Sequence, residues 1–248
     1  MNKESSRTLT ILSVFAIAMG FFESAVVIYL RKIYYPDGFA FPLQGFLEPF
    51  ILNVEWIREI STIIMLVCIG YLAGKNIYER IAYFIFSFAV WDIFYYIFLK
   101  ITLDWPASLL TLDLLFLIPL PWIAPVLAPI IISITMIMLS LIIIGLQDKG
   151  IKVNFSNKEW SLFILGSIII LYTFLYDYSK LIFAGGFAKD FFTLSVNPAF
   201  IGAVSSFIPE EYNWLLFFLG EIFVLLGIFY LYNRLKFKKL MRHYEKSK

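Results

Sequence analysis

Six stretches of this chain, at about 8–31, 51–74, 80–100, 122–146, 160–180 and 213–233, are each apolar over the length a helix needs to cross a hydrocarbon layer. No other feature narrows the fold so far. In lipid every backbone N–H and C=O must be satisfied by the chain itself, and runs of this length do so as helices. The expectation is an all-α integral membrane bundle of about six transmembrane helices, forming a single domain. The first run follows a basic MNKESSR segment, as in a signal peptide, but is too long for a signal core and reads as a retained span.

Composition agrees. The hydrophobic fraction is 61%, with 27 phenylalanines and a mean hydropathy of +0.84, against about 45–50% apolar residues in soluble domains. A net charge of +2 implies no nucleic-acid partner. The single cysteine, Cys68, excludes an internal disulfide, and the single histidine, His243, removes most histidine-based metal, haem and triad chemistry. No spacing demands a metal or another cofactor.

Basic residues set the expected orientation. With both termini in the cytoplasm, fourteen of the 20 Lys and Arg residues fall on the inside, half of them in the tail 234–248. The expected location is the cell membrane, with membrane lipids as neighbours and a homodimer as one way to offset the small size. Three outer connections are longer than turns. Residues 32–50 carry Pro36-Asp37-Gly38; residues 181–212 are mixed and read as an interfacial element. Residues 101–121, ITLDWPASLLTLDLLFLIPLP, hold an apolar run too short to span, bounded by Pro119 and Pro121. This third connection is expected to form a short re-entrant or interfacial helix.

The ionisable residues within the spans are one-sided. Glu23, Glu55, Arg58, Glu59, Asp92, Asp177 and Glu221 all fall in the outer halves, and the inner halves carry none between their flanks. Asp92, Tyr96 and Lys100 follow i, i+4, i+8 spacing on the third span, and Asp113 lies in the third connection. A mid-bilayer charge costs about 2.5–3.5 kcal/mol on insertion scales, so such groups pair or face a cavity. The pattern predicts a funnel, open outside and closed below by apolar packing. Asp92, Glu23 and Glu221 are the deepest acids and the candidate catalytic groups. Arg31, Arg58, Glu59, Tyr96, Lys100 and Asp113 are the candidate substrate-binding groups. Near helix ends, Arg31, Arg58, Lys100 and Lys180 can also snorkel to the interface.

Three stretches, FFESAVVIYLR, WDIFYYIFLK and DWPASLLTLDLLFLIPLPW, resemble motifs of an uncharacterised family of prokaryotic polytopic membrane proteins. The resemblance spans the first half of the chain and implies no particular activity. A shorter likeness, at Pro209-Glu210-Glu211-Tyr212, is similar to an element of integral-membrane lycopene cyclases, without that family's spacing elsewhere. Three readings stay open: an enzyme acting on a lipid-linked or extracytoplasmic substrate by carboxylate acid/base chemistry, a small proton- or cation-coupled transporter, and a non-catalytic assembly protein.

Overall fold

The computed structural model describes residues 1–43 and 48–246, the side chains of 190–192, 195, 196 and 239–246 excepted. It contains α1 (Lys3–Tyr34), α2 (Pro49–Ala73), α3 (Ile77–Leu103), β1 (Leu112–Phe116), β2 (Trp122–Pro125), α4 (Leu127–Asp148), α5 (Asn157–Ala184), a 3₁₀ segment (Phe187–Val196), α6 (Pro198–Ser205) and α7 (Trp214–Lys246). Six of these helices are long and apolar enough to cross a membrane: α1 to α5 and α7. The all-α membrane bundle expected from the apolar runs is therefore the observed architecture.

The helices outrun their apolar cores because polar caps set their ends. Asn2 accepts from the Ser5 N–H at 2.8 Å and starts α1. Asn76 accepts from the N–H groups of Tyr78 and Glu79 and starts α3. Ser156 and Glu159 form a reciprocal capping box on α5. α7 continues without a break through most of the expected tail, so that basic segment is helical as far as Lys246.

The third connection differs from the expected short helix. It is an antiparallel hairpin in which Leu112 pairs with Pro125, Asp113 with Ala124 and Leu114 with Ile123, followed by a bulge before Phe116 and Trp122. Pro119 and Pro121 lack the N–H that a helix needs, and they fall where the chain reverses. Alternation then decides the rest: Asp113 is fully buried on one face of β1, between half-buried neighbours. The ladder continues as Val126 N–H donates to Thr111 O and Leu127 N–H to Leu109 O, at 3.0 and 2.8 Å. That arrangement satisfies the backbone of a non-helical segment that enters a membrane protein's interior. It also shortens the fourth span, which begins at Leu127 rather than at Trp122.

α3 is the centre of the bundle: α1, α2 and α4 all pack on it, while α5 packs along α7. Glycines permit the closest approaches. A Cβ on Gly70 would stand 2.7 Å from Phe84 Cβ, 2.8 Å from Phe84 N and 2.9 Å from Arg80 O, so the Gly70–Gly74 pattern is the seam between α2 and α3. Gly166 and Gly220 do the same for α5 and α7. Because rigid backbone faces Gly70, Gly70→Ala is expected to destabilise the protein by about 1–3 kcal/mol. A thermal melt in mild detergent checks this, and an unchanged midpoint contradicts it.

The bundle has two unlike ends. At the termini end, Asp148 accepts from Asn2 N–H and Ser5 Oγ–H at 2.8 and 2.7 Å, and Asn76 donates to Gln147 at 2.7 Å. There too Arg234 of α7 grips Glu159 of α5 through two hydrogen bonds of 2.7 and 2.8 Å. Just above lies the main apolar core, with Leu9, Leu12 and Ala16 from α1, Ala82, Tyr83 and Phe86 from α3, Ile143 from α4 and Leu231 from α7. The hairpin, the 3₁₀ segment and α6 occupy the opposite, hairpin end.

Candidate functional site

The ionisable side chains meet in a cleft of about 130 Å³ between α1, α2, α3 and β1. Its depth follows from helix geometry. Glu23 lies eleven residues before the end of α1, Asp92 eleven before the end of α3, and Glu59 ten after the start of α2. At 1.5 Å per residue, all three residues stand about 15–17 Å below the hairpin-end helix termini, a depth about half the thickness of a hydrocarbon layer. α1 comes close enough to α3 at the floor because of Gly20, whose Cβ position is 3.0 Å from Trp91 O.

Two guanidiniums organise the walls. Arg31 donates from Nη2 to Asp113 Oδ1 at 2.7 Å, and Tyr96 Oη donates to Asp113 Oδ2 at 3.2 Å. The Arg31 guanidinium also lies over the rings of Trp105, at 3.7 Å, and Phe39, at 4.4 Å. Burial pushes the Asp113 carboxyl upward from the ordinary aspartate range, while Arg31 acts in the opposite direction. Arg58 donates from Nε and Nη2 to Glu55 Oε2, at 2.8 and 2.6 Å, and from Nη1 to Glu23. Thr62 Oγ1 donates to the other Glu23 oxygen at 3.1 Å. Neither arginine snorkels: both turn inward, and Arg31 is buried.

Two acids have no ion-pair partner among the described residues. Asp92 accepts from Ser133 Oγ–H at 2.8 Å. Glu59 accepts the Leu117 N–H with both oxygens, at 3.1 Å each, so the bulged hairpin closes over it. Two donors are unsatisfied as well: Arg31 Nη1 and Trp91 Nε1 are buried without a partner among the described residues, and both side chains line the cleft. The cleft thus gathers five carboxyls, from Glu23, Glu55, Glu59, Asp92 and Asp113, against two guanidiniums. Asp92 and Glu59, contacted by neutral donors, are the groups able to exchange a proton without breaking an ion pair.

Two expected site residues stand elsewhere. Glu221 is buried between α4 and α7, where Thr135 donates to it, and it does not line the cleft. Lys100 is exposed on the last turn of α3; it pairs with Asp104 at 2.7 Å and donates to Pro106 O at 3.1 Å. Each i+4 step overshoots a full turn by about 40°, so Lys100 stands about 80° around the helix from Asp92. Lys180 likewise leaves the cleft group and pairs with Glu210.

Sequence reasoning missed Glu55, Trp91, Tyr95, Ser133 and the Leu117 amide. For Glu55 a signal existed. The buried positions of α2 are Glu55, Glu59, Thr62, Leu66 and Gly70, one helical stripe that is polar at the hairpin end and apolar at the other. Ser133 gave none, since an isolated serine in an apolar span reads equally well as a bond to its own backbone.

No protein-family model matches the chain, and neither a curated protein nor a solved structure matches it.

Proposed function

We propose that this multi-pass membrane protein is an enzyme acting on a lipid-linked substrate at the outer face of the cell membrane, with both termini in the cytoplasm and membrane lipids as its immediate partners. Asp92 acts as general acid or base, with Glu59 as the second proton-transferring group. Glu23, ion-paired to Arg58, positions that guanidinium rather than moving protons. The observation that carries the reading is a cleft among the apolar helices in which two carboxyls form no ion pair and two buried donors find no acceptor among the described residues. Buried charge that served packing alone would be fully paired, because each unpaired group costs free energy.

A transport path needs an exit at the other face. Below the cleft the main apolar core packs Leu12, Ala16, Phe86 and Ile143, and the inner halves of the spans carry no charged residue between their flanks, which favours a one-sided site. α1 and α2 form two walls of the cleft. Both helices pack on α3, and polar contacts from Arg58 and Thr62 to Glu23 tie them together. A lipid can present its polar end there while its chains stay in the bilayer.

The test compares lipid extracts, by mass spectrometry, from cells that make the protein and matched cells that do not. At least one lipid or lipid-linked species is expected to appear or vanish with the protein, and the same conversion should follow when purified protein is added to vesicles of the extract. Identical profiles in both settings contradict the proposal.

A further inference from the structure

The unsatisfied groups of the cleft carry a description of its ligand; this inference rests on the enzymatic reading above and specifies the substrate class. Two kinds of deficit share one small space. Arg31 Nη1 and Trp91 Nε1 are N–H donors on residues 7% exposed, and both lack an acceptor among the described residues. Asp92 and Glu59 are acceptors that form no ion pair among the described residues. A plain anion such as a phosphate diester would satisfy the donors but add to an excess of five acids over two guanidiniums. A neutral sugar would leave that excess in place. Among the described residues no three His, Cys, Asp or Glu side chains converge as they would around a metal ion. A ligand that carries an anionic oxygen and an ammonium together meets both deficits.

We infer that the cleft binds a zwitterionic phospho-amine group, its phosphate oxygens at Arg31 Nη1 and Trp91 Nε1 and its primary ammonium at Asp92 and Glu59. The ammonium must carry N–H bonds, because carboxylate oxygens accept charge-assisted hydrogen bonds from them. Trimethylated amines lack those donors. A cleft of about 130 Å³ suits a headgroup and leaves acyl chains outside. With the ammonium held at one of the two acids, the other remains available to move a proton.

Full-length protein is purified into nanodiscs holding equal amounts of phosphatidylethanolamine, phosphatidylglycerol and phosphatidylcholine, and the lipids kept through detergent extraction are counted by native mass spectrometry. Phosphatidylethanolamine is expected to be enriched about tenfold over either other lipid, a difference of one charge-assisted contact set. Trp91→Phe, which keeps an aromatic ring in place and removes one phosphate donor, should lower the total retained phospholipid roughly fivefold and leave the ratio between headgroups unchanged. Asp92→Asn, which removes a charged partner of the ammonium, should lower the enrichment itself. Soluble glycerophosphoethanolamine supplies the second arm: competition by it at millimolar concentration identifies a free phospho-amine as an equal ligand, and failure to compete identifies the lipid headgroup, both outcomes supporting the zwitterion class. Equal retention of the three lipids, a preference for phosphatidylglycerol, enrichment unaltered in Asp92→Asn, or total retention unaltered in Trp91→Phe overturns the inference. The readout is binding. Enrichment without any converted species therefore contradicts the enzymatic reading alone, and conversion of a different lipid without enrichment contradicts this inference alone.

Discussion

Arg31→Gln is expected to cost about 3–5 kcal/mol of folding free energy, the range found when one partner of a buried ion pair is removed. Asp113 is fully buried and receives its short hydrogen bond from Arg31 at 2.7 Å, with Tyr96 as a second donor at 3.2 Å. Without Arg31 that carboxyl must either remain charged in a low-dielectric site or take up a proton, and both cost free energy. The loss should spread, because Arg31 also pins Phe39 and Trp105 against the hairpin. Unfolding midpoints in mild detergent measure the effect. Adding Asp113→Asn to Arg31→Gln should recover more than half of it, since a neutral amide no longer needs the cation. Equal stability of Arg31→Gln and wild type would mean that the pair is solvated.

Asp92→Asn is expected to lower turnover of the converted species by about 10²–10⁴-fold, the usual contribution of a positioned acid or base. The fold should survive, because an asparagine oxygen still accepts from Ser133 Oγ–H. Glu23→Gln should behave in the opposite sense. It weakens the Arg58 bridge between α1 and α2, so stability falls by several-fold more than in Asp92→Asn, with activity falling in proportion to the folded fraction. Turnover per folded molecule, measured beside the thermal midpoint, separates the two roles. Asp92→Asn with wild-type turnover would remove Asp92 from the chemistry.

Much of the bundle is legible in the sequence because lipid imposes a length rule. Spans 51–74 and 80–100 lie within three residues of α2 and α3 at both ends. Depth is legible for the same reason: a fixed rise per residue places Glu23, Glu59 and Asp92 at one level before any fold is known. Angular position and helix order are another matter. Glu221, seven residues into α7, shares roughly the depth of the others, yet α7 packs on α5 and meets α4, so its carboxyl finds Thr135 instead. Nothing in the spacing of α7 says which neighbour it takes.

The hairpin was hidden by a real ambiguity. Residues 112–118, LDLLFLI, are apolar enough for a buried helix turn and short enough for a strand. Pro119 and Pro121 end either element, so they mark a boundary without naming what precedes it. The deciding interaction, Arg31 with Asp113, joins residues far apart in the chain. The Leu117 amide that contacts Glu59 lies just past the last residue of β1, where the ladder does not use it, and backbone donors leave no trace in a sequence.

The central claim is a cleft reached from one face and sealed from the other, and site-directed thiol labelling measures it directly. In a Cys68→Ser background, Leu115→Cys puts a thiol on the cleft wall and Ala16→Cys puts one in the apolar core beneath it. A small membrane-impermeant thiol reagent should modify the Leu115 position from the face opposite the C-terminal helix end, and leave the Ala16 position unmodified from either face. Labelling of both positions, or of the Leu115 position from the face that carries the termini, would contradict the account.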